Sequence, residues 1–276
     1  MSYSEFSEFS YGFALTHELA NLESLAMAPI FPSLLAEGGP GGGWDVNLEM
    51  AAAPLYLQFK RSQRIRRASG KEAKLSAEEG YGLVAPYHRF AITDAAKSNQ
   101  HKMLLELDNG EQDVFYVAPE FTSLAALNTH WRKGEVEDHS VLVRPQEIGA
   151  LSNGSHSVAF NPEGVWCFSK PKPLTAVSPG ALRETLGMRL QIDGRPLRET
   201  VFKMAADLKD AERRGRKAIG LRVRDGQQAA FSDALAVSAQ DPNGAVVRRV
   251  LNDMAQTALG VFDAQLVLFQ GVAPKT

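Results

Sequence analysis

Residues 38–62 read GGPGGGWDVNLEMAAAPLYLQFKRS. The glycine-rich stretch at 37–43 suits no regular element, but it permits unusual backbone angles and a close approach to a neighbouring segment. It delivers one carboxylate, Asp45, to an extended stretch expected over 45–48. After AAAP a second strand is expected over 54–59. Its nearly continuous apolar run is the pattern of a strand buried on both faces. That run ends in Gln58-Phe59-Lys60. Side chains alternate along a strand, so Gln58 and Lys60 project together while Phe59 turns the other way into packing. A hairpin-like return of the chain would set Asp45 beside that pair.

Upstream, Tyr11, Leu15, Glu18, Leu22 and Leu25 recur at helical spacing, which predicts a helix from about residue 11. Pro29 and Pro32 stop it. Glu18 is a carboxylate on an otherwise apolar stripe. Downstream, residues 60–74 carry seven basic side chains against one acid, Glu72. Arg64 and Arg67 share one face if that segment is helical. Strands are then expected at 87–92 and 114–117, helices at 95–107 and 122–132, and a turn at 108–111. Helices alternating with apolar strands predict an α/β or α+β fold.

Beyond a boundary near 138 the pattern changes. Short strands are expected over 140–169, a proline-rich connector over 170–180, and helix over most of 181–217. That helix ends in a basic cluster, Arg213, Arg214, Arg216 and Lys217, with Arg222 and Arg224 beyond it; a polar helix end is its plainer reading. A last helix over 242–262 carries the stripe Val247, Val250, Leu251, Met254, Ala258, Val261 and Phe262, suited to a core or an oligomer face. A strand follows at 266–269. The organisation expected is a core over 1–138 and an accessory α+β domain over 139–276.

The 276 residues are 44% hydrophobic and 22% charged with a net charge of −2, so the chain can bury a core and binds polyanions only through a local basic patch. The single cysteine, Cys167, reads as a small buried apolar residue and excludes an internal disulfide. There is no C-x-x-C, no P-loop and no G-x-S-x-G elbow. THEL at 16–19 lacks the second histidine of H-E-x-x-H, and none of the six histidines falls at a metal-ligand spacing. No apolar run reaches membrane length, and the start is neither basic nor apolar, so no membrane span and no signal peptide are expected. A reducing cytoplasm fits.

The residues themselves suggest a chemistry. Magnesium prefers hard oxygen ligands. Asp45 offers a carboxylate, Gln58 a neutral oxygen, and Glu18 a second carboxylate, direct or through water. Lys60 could hold a metal-activated water or stabilise charge developing on a phosphate. Each residue also has a plain reading: Asp45 as a turn residue, Gln58 and Lys60 as an exposed strand end, and the basic run as a solvated surface.

The ordered set of helical Glu18, GGGWDV with Asp45, LYLQFKRS with Gln58 and Lys60, then a basic run, resembles the PD-(D/E)XK nuclease superfamily. Its Gln-x-Lys form is most similar to Mrr-like restriction endonucleases. The resemblance covers residues 10–120. It implies a restriction-endonuclease-like mixed sheet flanked by helices, with a Mg2+ or Mn2+ ion on Asp45, Gln58 and Glu18. It further implies phosphodiester hydrolysis, of DNA ahead of RNA, in bacterial genome defence. Arg61, Arg64, Arg67 and Lys71 would grip phosphates. Two departures stand out: AAAP is no obvious tight turn, and Gln58 replaces the commoner acidic ligand. The alternative is a non-catalytic subunit binding nucleic acid or a protein partner through the same fold, as a hetero- or homo-oligomer.

Overall fold

A computed structural model describes residues 2–20, 48, 50–108, 112–168, 171–192, 194–221 and 244–271. Asp45, Leu22, Leu25, Pro29, Pro32, the glycine-rich stretch 37–43, Arg222 and Arg224 lie outside them, as do most of the turn expected at 108–111, the start of the helix expected at 242–262 and most of the strand expected at 45–48; Leu48 is in a turn. The fold is mixed α/β, two sheets with flanking helices. In chain order the elements are β1 (Ser2–Tyr3), α1 (Glu8–Ala20), β2 (Ala52–Phe59), β3 (Gln63–Ile65), α2 (Lys71–Glu78), β4 (Tyr87–Ile92), α3 (Gln100–Leu107), β5 (Asp113–Pro119), α4 (Leu124–Lys133), β6 (Ser140–Val143), α5 (Pro145–Ile148), β7 (His156–Asn161), β8 (Gly164–Phe168), β9 (Lys172–Leu174), β10 (Ala176–Val177), α6 (Pro179–Ile192), α7 (Leu197–Ala218), α8 (Ala245–Phe262) and β11 (Gln265–Gln270).

The chain forms two compact units. Among the described residues, the first draws on Met1–Leu19, Leu57–His101 and Val114–Arg183, and the second on Ala20–Tyr56, Lys102–Asp113 and Glu184–Thr276. Both units therefore draw on residues from either side of 138.

In the first unit β1-β3-β4-β7-β8-β9 form a wholly antiparallel six-stranded sheet. The condition under which Arg64 and Arg67 would share a face is not met: residues 63–65 form a strand, with Gln63 opposite Arg89 and Ile65 opposite Tyr87. The strand wins because it buries Ile65 in a cluster with Ala73, Leu83, Tyr87, Ala159, Trp166 and Phe168. Helix α2 begins only at Lys71, so Arg64 and Arg67 share no helical face. The expected connector at 170–180 also departs from its reading, since it supplies β9 and β10, each pairing with a strand already in a sheet.

The second sheet, β10-β6-β5-β2-β11, is built on apolar runs. Every residue of β5 is buried, as are Leu55, Tyr56 and Leu57 of β2. Helix α1 is preceded by Ser7, whose Oγ accepts the Ser10 N–H at 3.0 Å as its N-cap. It buries Tyr11, Ala14, Leu15, Glu18 and Leu19 and leaves Phe9, Phe13 and His17 outside. In the second unit, the α8 stripe packs on α7 and β11, so that apolar face is covered within the chain.

Candidate functional site

Strand β2 delivers Gln58 and Lys60 to one place. Gln58 is buried, and its Oε1 accepts the Gln100 Nε2–H at 2.8 Å. The half-buried Lys60 Nζ donates to Gln100 Oε1 at 3.5 Å. Gln100, the first residue of α3, thus ties the pair together across forty positions of sequence. Lys60 also lies 5.7 Å from the centroid of the buried Tyr116 ring, within cation–π range. Phe59 faces the other way, against α1. Its ring is 5.9 Å from that of Tyr11 and edge-on to it, and a Cβ on Gly12 would sit 2.9 Å from its Cε2.

His101 closes the inner side of this region. Its Nε2 lies 2.8 Å from the Gly149 carbonyl and its Nδ1 3.0 Å from the Tyr116 hydroxyl. A carbonyl only accepts, so Nε2 carries the proton and Nδ1 accepts from Tyr116. Burial, then the neighbouring His156 and Lys60 charges, holds the ring below its usual pKa, against an opposing effect of the Gly149 bond. Both nitrogens are occupied, so His101 positions Tyr116 rather than accepting a proton.

Glu18 does not join Gln58 and Lys60 at Gln100. Its Oε2 accepts the Glu137 backbone N–H at 2.9 Å, while its Oε1 is buried with no hydrogen bond among the described residues. Burial raises its pKa, with Asp138 adding to the rise and the Val136 backbone opposing it. Of the described donors at the end of β2, Gln58 Oε1 alone is an oxygen from the expected metal set, and it is neutral. A hard dication prefers several oxygens, some of them anionic. The described residues alone therefore do not make a magnesium site; Asp45 lies outside them.

Of the expected phosphate-binding residues, Arg61, Arg67 and Lys71 are exposed. Arg64 is half-buried on β3 opposite His88. Burial first, then the Arg64 charge, pushes His88 down to about 4. Of the second basic cluster, three members are engaged within their own unit: Arg213 pairs with Asp210, Arg216 with Glu212 and Arg214 with Glu106. Cys167 is buried, and burial pushes its thiol up to about 11, so it is no nucleophile.

Sequence reading missed Gln100, His101 and Tyr116 as neighbours of Gln58 and Lys60. It also missed a second cluster, His130, Glu135 and His139, whose ligand atoms all lie within 4.8 Å of one another. Among the described residues no helix is long and apolar enough to cross a membrane. In comparisons with protein-family models, curated proteins and solved structures, nothing matches this chain.

Proposed function

We propose that this chain is a divalent-metal-dependent nuclease that hydrolyses phosphodiester bonds, of DNA ahead of RNA, in the bacterial cytoplasm as part of genome defence. What supports the reading is the convergence of Gln58 and Lys60 on Gln100 at the end of a buried strand. On this reading Asp45 supplies the metal's carboxylate and Gln58 a neutral oxygen. Lys60 stabilises charge developing on the phosphate, in a setting where Tyr116 and Gln100 restrict its motion. Arg61, Arg67 and Lys71 are exposed and free of regular strand pairing, which suits phosphate contact.

A second reading, a non-catalytic nucleic-acid- or protein-binding subunit, is favoured by Gln58 already being satisfied by a neutral amide. One experiment separates them: cleavage of plasmid, single-stranded DNA and structured RNA with Mg2+, Mn2+ or EDTA. Asp45→Ala and Lys60→Ala are expected to fold as the parent does and to bind nucleic acid. Cleavage should fall by about 10²–10³, the scale of losing one preorganised charge-stabilising group. Glu18→Gln shows whether its carboxylate belongs to the metal set. Metal-independent binding without cleavage establishes the second reading.

A further inference from the structure

The side chains at the end of α4 have the composition of a transition-metal site. The helix ends at Gly134, whose φ of 69° and ψ of 36° are left-handed, a conformation glycine adopts without penalty. This cap turns the chain back on itself. The Glu135 N–H donates to His130 O at 3.0 Å, and the His139 N–H to Glu135 O at 3.2 Å. His130 from the last helical turn, Glu135 just past the cap and His139 at the end of the turn therefore converge. The two imidazole centroids are 4.0 Å apart. Glu120 arrives from the end of β5: its N–H donates to His139 O at 2.8 Å, and its Oε2 is 3.9 Å from His139 Nδ1. The Phe121 ring, 5.0 Å from that of His130, covers one side. His130 Nδ1 is buried with no hydrogen bond among the described residues, and Glu135 Oε2 lies 3.6 Å from it.

Two imidazoles and two carboxylates are the donors of zinc and its neighbours in the first transition row, whereas magnesium seeks oxygen alone. A tetrahedral ion with bonds of about 2.0–2.2 Å holds its ligand atoms about 3.4 Å apart. The His130, Glu135 and His139 atoms lie within 4.8 Å, and rotation of these part-exposed side chains closes the difference. The carboxyl end of a helix also favours a cation nearby. We propose that His130, Glu135 and His139, with Glu120 as fourth ligand, bind a zinc-class divalent cation that clips the end of α4 to the end of β5. The site shares no residue with Asp45, Gln58 and Lys60, and its ion is of a different class.

The test is calorimetric titration of the EDTA-stripped full chain with zinc chloride, and in parallel with magnesium chloride, followed by cobalt substitution. Zinc should bind once per chain, and magnesium should not displace it. Cobalt should show the visible absorption of a four-coordinate nitrogen and oxygen site. His130→Ala and His139→Ala should each weaken zinc by more than the about 10–100-fold that losing even an outer partner costs. Glu135→Gln should weaken it too, and His17→Ala, an exposed histidine on α1, should not. If His130→Ala fails to fold by circular dichroism, the more exposed His139→Ala decides. Zinc binding unchanged in His139→Ala, or no saturable zinc binding by the parent, overturns the proposal. Zinc binding should persist in Lys60→Ala, so failure of the nuclease reading and failure of this one are separate results.

Discussion

Tyr11 and Ser140 hold α1 to β6 through a relay whose energetics can be worked out from its donors. Tyr11 is fully buried, and its hydroxyl donates to Ser140 Oγ at 2.7 Å. Ser140 Oγ in turn donates to Val136 O at 2.7 Å, which also accepts the His139 N–H at 3.3 Å. Burial pushes the phenol far above its usual pKa, so it stays a donor at every working pH. Tyr11→Phe removes one neutral bond and strands no donor, because the Ser140 proton is already committed to Val136. Its cost is about 1 kcal/mol. Ser140→Ala removes the bond to Val136 and leaves the Tyr11 hydroxyl buried without an acceptor, at about 2–4 kcal/mol in total. The double variant strands nothing and should cost about 1–2 kcal/mol. Adding Tyr11→Phe to Ser140→Ala should therefore restore stability, a sign reversal that independent effects cannot give. Urea unfolding of the four proteins at pH 7 measures it, with unchanged slopes confirming that only stability has moved. Losses that simply add would falsify the relay.

Two further outcomes follow from single contacts. Burial pushes the Glu72 carboxyl up, but its own backbone N–H, Arg89 and Tyr87 outweigh that and leave it below its usual value. A lowered folded pKa contributes stability above the unfolded value, about 4.3, and loses it as pH falls through the folded value. Unfolding measured across the acid range should therefore show a shallower acid loss for Glu72→Gln, alongside weakening at pH 7 of about 1.5–3 kcal/mol from the lost charged bonds; an unchanged acid slope contradicts this. Gly12→Ala sets a helix-propensity gain of about 1 kcal/mol against overpacking of the Phe59 ring at about 1–3 kcal/mol, the new Cβ meeting Cε2 at 2.9 Å. We expect net destabilisation by denaturation, and displacement of the flanking Gln58 and Lys60; a more stable variant shows that Phe59 yields freely.

Much of the fold is local and was legible. Strand β4 coincides with the expected 87–92, and β2 and β5 lie where continuous apolar runs demand burial on both faces. The stripe of α8 is buried as its period requires, apart from the part-exposed Val261. Helix over most of 181–217 is present as two helices, α6 and α7, and the interruption, with Pro196 as the N-cap of α7, was not anticipated. Alternation along β2 also placed Gln58 and Lys60 on one side and Phe59 on the other, because strand pleating is a property of the backbone alone.

Three features needed the tertiary structure. Residues 63–65 became a strand because β4 offered a pairing edge and a core for Ile65, a gain larger than local helix propensity. Gln100 reached Gln58 and Lys60, and Glu18 reached the Glu137 N–H 119 positions away, through strand order that no window of sequence contains. His130, Glu135 and His139 fit no single-helix ligand spacing because Gly134 turns the chain between them. Periodicity fixes which face a side chain takes within its own element. Which side chains then meet depends on how distant elements pair, and that is decided by burial summed over the whole fold.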